Sequence, residues 1–508
     1  MRLSELLDGL EIRNRTGDLD VEIGSIAYDS RKAIRGTLFV CIEGFVTDGH
    51  RYVQQAASQG ATVFLVQKPV EVPPGATVVE IADTRKGLAH VSDRFFGHPS
   101  GRLRMIGITG TKGKTTTSYM VRAILRAAGR KTGLIGTIAN IIGDEVVYAS
   151  RTTPESYDLQ ALLSDMVTAG MDSCVMEVSS QGLALDRVYR TEYGTGVFTN
   201  LYNDHIGPSE HADFEEYLAA KTLLFGRCRN ALINGDAPHA DRFRAASTGR
   251  VYTYGLNAGA DVRATRIEKA VENDRVGTRF HLDSPWFSGA VFVGMPGRFN
   301  LYNALAAIGC AGLAGVGLEH VREGLADATV KGRVQPIPTG RGYTVVVDYA
   351  HNAASLESLL ETLREYVDGR LMVVFGCGGD RAKSRRYEMG EVAGRLADFT
   401  YVTSDNPRTE DPLAILADIL STLVPTGGAH VVVPDRREAI FRAIADARPG
   451  DMVVIAGKGH ENYQIFADRT LHFDDAETAQ EALDAVDAHD ATNVPVRQDD
   501  SDRKRSPG

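Results

Sequence analysis

The stretch GITGTKGKTTT, residues 107–117, decides how the surrounding chain folds. It follows the apolar run RLRMI and precedes a segment in which apolar residues from Met120 to Leu125 recur at helical spacing. Glycines at positions 110 and 113 let the backbone turn so that successive N–H groups point inward. A strand, a glycine-rich turn and a helix N-terminus in this order predict a cradle for phosphate groups.

The polar side chains of this stretch suit a nucleotide. Lys114 supplies a full positive charge for terminal phosphates, and Thr115 or Thr116 offers a hydroxyl to Mg²⁺. The spacing departs from the strict G-x-x-x-x-G-K-[ST] pattern, because position 108 is isoleucine and the nearest glycine is Gly107. An ordinary glycine-rich turn is the alternative, and a phosphate loop alone does not specify a reaction.

Composition describes a globular protein of about three domains, since 508 residues are too many for one core. The net charge of −10, from 56 basic and 66 acidic residues, argues against nucleic acid or an anionic membrane as the main partner. The five cysteines show no metal-ligand spacing. No apolar run approaches the roughly 20 residues that span a bilayer. We expect a cytoplasmic protein with buried thiols and no membrane insertion.

Strand-like and helix-like segments alternate along the whole chain, which predicts the α/β fold class. We predict domains at 1–98, 99–332 and 333–485, each with a mostly parallel sheet flanked by helices, and a disordered tail at 486–508. The strands of the second of these three blocks are continuous apolar runs, as in parallel sheets covered on both faces. Ligands bind beyond the carboxyl ends of such strands, so the polar residues there are the candidates.

Ten motifs occur in a fixed order along the chain: TGTKGKTTT, TTPE, MEVSSQGL, FTNLYNDH, AAKTLLF, GRFNLYNALAA, DYAHN, FGCGGDR, TSDNPRTEDP and AGKGHENYQ. With them, residues 25–480 resemble the Mur ligases of peptidoglycan synthesis. The motifs look most like those of the members that add the third amino acid to UDP-N-acetylmuramoyl-L-alanyl-D-glutamate. The resemblance implies a UDP-binding first domain, a central P-loop ATPase-like domain and a Rossmann-like third domain that binds the amino acid.

The resemblance also implies a reaction, in which the γ-phosphate of ATP activates the terminal carboxylate of the substrate and an amine attacks the acyl phosphate. It implies catalytic roles for Lys114, Glu177, His205 and Lys221. Glu177, His205 and Thr115 are the implied Mg²⁺ ligands, together with Lys221 carbamylated by CO₂ to N6-carboxylysine. The alternatives are an acid and a histidine at solvated strand ends, and a solvated lysine on a helix.

Two sets of binding residues follow from the same resemblance. The nucleotide set consists of Gly110, Thr111, Lys112, Gly113, Lys114, Thr115, Thr116, Asn300, Asn303, Arg333, Asp348 and His351. For Asn300, helix capping is the competing explanation. The UDP-substrate set consists of Ser30, Thr152, Thr153, Ser179 and Arg187, whose hydroxyls and guanidinium suit diphosphate and carboxylate oxygens.

The added amino acid is indicated by DNPR, residues 405–408. Asp-Asn-Pro is typical of a turn, and Arg408 is a planar donor suited to a carboxylate. In the family this arginine accompanies meso-diaminopimelate, whose far end carries a carboxylate and an ammonium, whereas lysine-adding members usually lack it. The implied amino-acid contacts are Arg386, Asp405, Asn406, Arg408, Gly457 and Glu461. Of these, Arg386 matches the family's arginine that binds the near carboxylate of the amino acid. Addition of L-lysine or ornithine is the alternative.

The chain departs from the common family pattern at Gln181, Leu185, Tyr387, Phe45 and the segment 206–211. These departures bear on substrate contacts more than on the reaction. The implied partners are the UDP-N-acetylmuramoyl dipeptide and a diamino acid, and we expect a monomer. Two other functions stay open: a related ligase acting on folate or a poly-amino acid, and a non-catalytic protein that binds ATP.

Overall fold

The computed structural model describes residues 1–44, 47–204, 206–207, 210–272 and 275–492, with side chains to residue 488. Two predicted positions, Phe45 and His205, lie outside the described residues, as does part of the segment 206–211. The chain forms two compact units. The first comprises Met1–Ala270 and Gly277–Ala328, and the second comprises Val271–Val276 and the chain from Thr329 onward.

The first unit opens with a five-stranded sheet in the order β1-β5-β4-β3-β2, in which only β1 is antiparallel. Its elements are α1 (Leu3–Leu7), β1 (Ile12–Thr16), β2 (Ser25–Ala27), β3 (Thr37–Val40), α2 (Val53–Ser58), β4 (Val63–Val66), β5 (Thr77–Ile81) and α3 (Thr84–Phe95). Alternate residues of β3 enter two different cores, with Leu38 on one face and Phe39 on the other. Both faces of this sheet are therefore covered.

An eleven-stranded sheet follows, in the order β16-β15-β14-β13-β12-β11-β6-β10-β7-β8-β9, and it lies in the first unit except for residues 271–272 and 275–276, which belong to the second. Its strands are β6 (Arg104–Thr109), β7 (Thr132–Ile135), β8 (Asn140–Ile142), β9 (Glu145–Val147), β10 (Ser173–Glu177), β11 (Tyr193–Phe198), β12 (Cys228–Asn234), β13 (Arg250–Gly255), β14 (Val262–Glu272), β15 (Arg275–Asp283) and β16 (Ser288–Val293). The helices are α4 (Lys114–Ala127), α5 (Ser156–Thr168), α6 (Ser180–Ala184), α7 (Phe214–Thr222), α8 (Ala240–Ala246), α9 (Arg298–Leu313) and α10 (Leu318–Asp327).

The middle of this sheet is parallel, and antiparallel hairpins extend both edges. Glu177 of β10 pairs with Ile108 of β6, and Phe198 of β11 pairs with Thr109. The carboxyl ends of β6, β10 and β11 therefore meet at one edge. The chain after β6 turns at Gly113, with φ +85°, into α4, whose apolar residues from Met120 to Leu125 are buried as predicted.

The second unit contains a six-stranded sheet in the order β17-β18-β22-β19-β20-β21, parallel except for β17. The strands are β17 (Gln335–Ile337), β18 (Thr344–Asp348), β19 (Leu371–Phe375), β20 (Phe399–Val402), β21 (His430–Val432), β22 (Met452–Ala456) and the separate hairpin β23 (Tyr463–Ile465) and β24 (Thr470–His472). The helices are α11 (Ala353–Arg364), α12 (Ser384–Leu396), α13 (Pro412–Leu423), α14 (Arg436–Ala445) and α15 (Asp475–Thr492).

Helices cover both faces of this second sheet, with α11 to α13 on one core and α14 and α15 on the other. β19 leads into α12 on one face of the sheet, and β22 leads, through the hairpin of β23 and β24, to α15 on the other face. The carboxyl ends of these neighbouring strands are therefore where a ligand crevice is expected. The loops after β18, β19, β20 and β22 surround this crevice.

The α/β class with mostly parallel sheets flanked by helices is confirmed, and all five cysteines are buried. The last helix continues to Thr492, so the tail predicted from 486 starts no earlier than 493, and 493–508 lie outside the described residues. The three domain boundaries stay predictions. Within the described part of the chain, no helix has both the length and the apolar character needed to cross a membrane.

Candidate active site

The glycine-rich loop after β6 contains two glycines with positive φ, and the chain is closely packed around both. Gly110 has φ +147°, and a Cβ there would lie 2.0 Å from the Thr199 hydroxyl. Gly113 has φ +85°, and its Cβ would lie 2.5 Å from Oδ1 of Asn303. Lys114, the first residue of α4, donates from Nζ to the carbonyl oxygens of Gly110 (2.8 Å) and Thr111 (3.0 Å). The loop therefore carries a cation and a helix N-terminus on a fixed backbone.

Residues after β11, which the sequence did not single out, support this loop. The Thr199 hydroxyl donates to the Lys112 carbonyl (2.7 Å). The Asn200 amide holds both backbone groups of Lys112, accepting from its N–H (2.9 Å) and donating to its carbonyl (3.0 Å). Both residues directly follow a buried strand, and that position was the signal that could have identified them.

Glu177 ends β10 and is buried, with 1% of its surface exposed. Its Oε2 accepts hydrogen bonds from the hydroxyls of Thr115 (2.9 Å) and Thr137 (3.1 Å), and its Oε1 accepts from the Thr137 N–H (2.9 Å). The interpretation of Glu177 as a solvated acid is therefore wrong. Thr115 and Glu177, two of the predicted metal ligands, lie side by side, and carboxylate and hydroxyl oxygens are the ligands that Mg²⁺ prefers.

Lys221, near the end of α7, is also buried, with 1% exposed, so its interpretation as a solvated lysine is wrong. Its Nζ donates to the Gly110 carbonyl (2.9 Å) and lies 4.6 Å from the ring centre of Tyr217. Burial lowers the pKa of Lys221 well below its ordinary value, and the neighbouring charge of Lys114 lowers it further, while Asp204 acts in the opposite direction. The amine is therefore pushed towards its neutral, nucleophilic form.

The UDP-substrate candidates of the central block form one network around the end of β10. The Thr153 hydroxyl donates to the Glu177 carbonyl and accepts from the Ser179 N–H, both at 2.9 Å. The Ser179 hydroxyl caps α6, and Arg187 donates to the Thr153 carbonyl (3.2 Å). The Thr152 and Thr137 hydroxyls are 3.0 Å apart.

A cavity of about 390 Å³ adjoins this network between the first and central blocks of the first unit. Tyr28 and Lys32 line it from the first block, and Arg151 and Glu155 line it from the loop before α5. Ser30, the candidate of the first block, is not among the lining residues, because its buried hydroxyl donates to the Gln55 side chain (2.9 Å). Lysine and arginine beside carboxylates suit a substrate that carries both phosphate and polar groups.

Asn300 and Asn303 lie on the first turns of α9 and are buried. Asn303 accepts from the Thr117 hydroxyl of α4 (3.2 Å) and donates to Asn300 (3.1 Å). Asn300 donates to the Pro296 carbonyl (2.8 Å), and the helix cap is Gly297, so the capping explanation for Asn300 is wrong. The two asparagines join α9 to the phosphate-loop helix.

In the second unit, the remaining nucleotide candidates lie just before β17 and at the end of β18. Both carboxylate oxygens of buried Asp348 accept backbone N–H groups, from Val334 and Ala350, at 2.8 Å. Burial raises the pKa of Asp348, and the Arg333 charge opposes this. The Arg333 guanidinium lies 5.1 Å from the ring centre of Tyr349, and the His351 ring is tilted against the same tyrosine with the ring centres 4.5 Å apart.

The DNPR segment follows β20 and borders the crevice of the second sheet. Asn406 donates to Oε2 of Glu461 (3.0 Å), and Gly457, with φ +117°, leaves room for Asp405, whose Oδ2 would lie 2.9 Å from a Cβ there. Arg408 has φ +54° and donates from Nη1 to the Gly379 carbonyl (2.7 Å). The structure thus brings five of the six amino-acid candidates to the ends of β19, β20 and β22.

Arg386, the sixth, differs from the expectation of a guanidinium presented to a substrate carboxylate. It is buried in α12, where Glu410 (2.6 Å) and Asp418 (2.9 Å) bind its two Nη atoms and raise its pKa. Its Nε has no hydrogen-bond partner among the residues that the structure describes. The carboxylates of Glu410 and Asp418 therefore occupy the Arg386 guanidinium, which was predicted to bind the near carboxylate of the amino acid. That role stays a prediction.

Profiles of protein families match three successive parts of the chain. These are "Mur ligase family, catalytic domain" over residues 22–95, "Mur ligase middle domain" over 108–311 and "Mur ligase, glutamate ligase domain" over 332–459.

Individual proteins match nearly the whole chain. The UDP-N-acetylmuramoyl-L-alanyl-D-glutamate--2,6-diaminopimelate ligase of Caldanaerobacter subterraneus subsp. tengcongensis is 44% identical over 484 residues, 95% of this chain and 99% of its own. The ligase of the same name from Clostridium botulinum is 43% identical over 471 residues, 92% and 96% of the two chains. A solved structure with that enzyme name superposes with a TM-score of 0.74 at 31% identity, covering 96% and 99% of the two chains.

Proposed function

The chain belongs to the Mur ligase family of ATP-dependent peptide ligases, and from this premise we propose that it adds meso-2,6-diaminopimelate to the D-glutamate of UDP-N-acetylmuramoyl-L-alanyl-D-glutamate in peptidoglycan synthesis. Relatives that match more than nine-tenths of the chain carry the name of this ligase. The phosphate loop, the buried Glu177 and Lys221 beside it, and the polar crevice of the second sheet each correspond to one requirement of that reaction.

The reaction has two steps. The terminal carboxylate of the precursor attacks the γ-phosphorus of ATP, which forms an acyl phosphate and releases ADP. The amine of the diamino acid then attacks the acyl carbon, phosphate leaves with the former carboxylate oxygen, and the amine loses a proton. Lys114 and the N–H groups of the 110–116 loop are the chain's own groups for holding the negative charge of the transferred phosphoryl group.

Magnesium fits the residues next to this loop. The Glu177 carboxylate is buried and, among the described residues, accepts from hydroxyl and N–H donors, with the Thr115 hydroxyl on its Oε2. These two groups would hold the ion, together with His205, which lies outside the described residues. Bound Mg²⁺ supplies positive charge that neutralises the phosphates of ATP.

Carbamylation fits Lys221. Only a neutral amine attacks CO₂, and burial together with Lys114 favours the neutral form of this lysine. The neutral amine nitrogen forms a bond to the carbon of CO₂ and loses a proton, which leaves an anionic carbamate in place of the usual lysine cation. The product, N6-carboxylysine, would offer oxygen ligands to Mg²⁺ beside Gly110.

The choice of diaminopimelate rests on the charges around the crevice of the second sheet. Asp405 and Glu461 supply carboxylates for an ammonium group, and Arg408 supplies a guanidinium for a carboxylate. The far end of diaminopimelate carries both groups, whereas lysine and ornithine end in an ammonium alone. L-Lysine or ornithine as the added amino acid is the alternative that the experiment must exclude.

The single observation that supports catalysis best is the burial of Lys221 against the Gly110 carbonyl of the phosphate loop. A protein that only binds ATP would not need a buried lysine at this place, because an exposed one would serve as well. The test is amino-acid-dependent phosphate release with ATP, Mg²⁺ and the UDP-dipeptide, comparing meso-diaminopimelate, L-lysine and ornithine. We expect turnover with meso-diaminopimelate and little with the others. Turnover with lysine alone would change the amino acid, and no ATP consumption with any of them would contradict the ligase function.

A further inference from the structure

Lys458 is a fully buried lysine that no predicted contact uses. It follows β22 and Gly457, and none of its surface is exposed. Its Nζ lies 3.2 Å from Oδ1 of Asn406 and 3.5 Å from Oε2 of Glu461. Lysine side chains are almost never fully buried unless they are paired, so these two partners explain why the chain tolerates it there.

The first consequence concerns the orientation of the Asn406 amide. Oδ1 of Asn406 accepts both the Lys458 ammonium (3.2 Å) and the N–H of Ile465 (3.0 Å), which uses both of its lone pairs. The Nδ2 group must then point away from these donors, and it donates to Glu461 (3.0 Å). A flipped amide would place its NH₂ against an ammonium and an N–H, so Lys458 fixes the donor side of Asn406.

The second consequence concerns Glu461. Its Oε2 receives Asn406 and faces Lys458, and its Oε1 lies 3.5 Å from the Tyr349 hydroxyl. Burial lowers the pKa of Lys458, whereas the carboxylates of Asp405 and Glu461 favour its charged form. The lysine therefore balances the charge of two neighbouring carboxylates at the end of the crevice.

We propose that Lys458 is a positioning residue for the amino-acid substrate: it holds Asn406 and Glu461 in place and offsets their local negative charge, so that the crevice accepts an end group with both an ammonium and a carboxylate. This inference rests on the proposed function, because it needs a diamino acid in the crevice. Without Lys458 the two carboxylates would keep only the compensation that the buried Arg436 provides, and they would repel the substrate carboxylate more strongly and favour an end group that is an ammonium alone.

The test is the variant Lys458→Met, which keeps most of the side-chain volume and removes the charge. Its KM for meso-diaminopimelate should rise about tenfold or more, as expected when one partner of a buried charge pair is removed. The KM values for ATP and the UDP-dipeptide should stay within about twofold, because the phosphate loop is untouched. The ratio of kcat/KM for meso-diaminopimelate to that for L-lysine should fall.

The matched control is Arg370→Met. Arg370 pairs with the buried Asp451 (2.6 Å), which lies just before β22, at the opposite end of that strand from Lys458. This variant also removes one partner of a charge pair, but away from the amino-acid candidates, and should keep the wild-type KM for the amino acid. If Lys458→Met is too unstable to purify, Lys458→Gln provides the second measurement, because its amide can still donate to Asn406 but carries no charge. It should show the lowered ratio with a smaller rise in KM.

The outcomes separate the two proposals. If the wild-type protein does not use meso-diaminopimelate, the proposed function is wrong. If the wild type uses it and the folded Lys458 variants bind it with unchanged KM and an unchanged preference over lysine, the positioning role is wrong. Equal rises in the KM values of all three substrates would also contradict that role.

Discussion

Lys114 and Lys221 donate to the same acceptor, the backbone carbonyl oxygen of Gly110, at 2.8 and 2.9 Å. Two lysines that share one acceptor repel each other when both are charged, and Lys221 is the buried member of the pair. The phosphate loop thus places a buried amine, whose pKa is lowered, next to the cation that is expected to bind phosphate.

This relationship predicts that Lys221 is indispensable as a carbamate. Lys221→Ala should lower kcat by about 10²-fold or more, since it removes an anionic group from the transition-state environment. Short-chain carboxylic acids should restore part of the activity, because a small acid can occupy the space left by the carbamate.

The control for this prediction is Lys131→Ala, which removes an exposed lysine after α4 and should change neither activity nor its response to acids. Protein equilibrated with ¹³C-bicarbonate should show a carbamate signal that Lys221→Ala lacks. Full activity of Lys221→Ala, or rescue that is equal in both variants, would contradict the carbamate role.

The contact between Thr115 and Glu177 predicts a shared metal site. Glu177→Gln and Thr115→Val should each reduce kcat and raise the Mg²⁺ concentration needed for half-maximal rate, with the larger loss, about 10²-fold or more, for Glu177→Gln. The matched control is Thr168→Val, because it removes an exposed hydroxyl that donates to the Ser164 carbonyl of its own helix. An unchanged Mg²⁺ dependence in both site variants would place the ion elsewhere.

Arg408 should determine the preference for the added amino acid. Arg408→Ala removes the guanidinium near Gly379 and should lower kcat/KM for meso-diaminopimelate by about 10²-fold or more, while kcat/KM for L-lysine changes little. Steady-state phosphate release with each amino acid measures both values. Parallel losses with both amino acids would assign Arg408 to the structure of the loop instead.

His460 predicts a pH dependence of stability in the second unit. Burial lowers the pKa of His460 to about 4, helped by the charges of Arg333, Lys331 and His351, against an ordinary value of 6.5. Below about pH 6.5 the unfolded chain binds a proton that the folded chain excludes, so the free energy of unfolding should fall as the pH decreases towards 4.

The variant His460→Phe keeps a ring against Tyr349, whose centre lies 4.8 Å from that of His460, but cannot titrate. Its melting temperature should depend less steeply on pH between 6.5 and 4 than that of the wild type. Identical slopes of melting temperature against pH would show that the pKa of His460 is not lowered in the folded protein.

Sequence patterns predicted those parts of the fold that depend on local order. The strand, glycine turn and helix at 104–127 follow from apolar periodicity and from glycines at positions of positive φ. The strand β14, which neighbours β15 in the sheet, was not predicted, because much of it is exposed and it lacks the continuous apolar run of a central strand.

The candidate site was predictable where a polar residue ends a buried strand, as Glu177 does. Residues that act through distant partners were missed. Thr137 binds Glu177 across 40 positions of the chain, and Lys458 reaches Asn406 across 52. The pairing of Arg386 with Glu410 and Asp418 also depends on how α12 packs on α13, which no local pattern contains.

The central claim is that ATP phosphorylates the precursor's carboxylate before the diamino acid attacks it. The direct measurement uses UDP-dipeptide labelled with ¹⁸O in its terminal carboxylate, with ATP, Mg²⁺ and meso-diaminopimelate, and determines the mass of the phosphate released. One ¹⁸O atom should appear in each phosphate formed from doubly labelled precursor. Phosphate without label, released at the rate of product formation, would contradict the acyl-phosphate route.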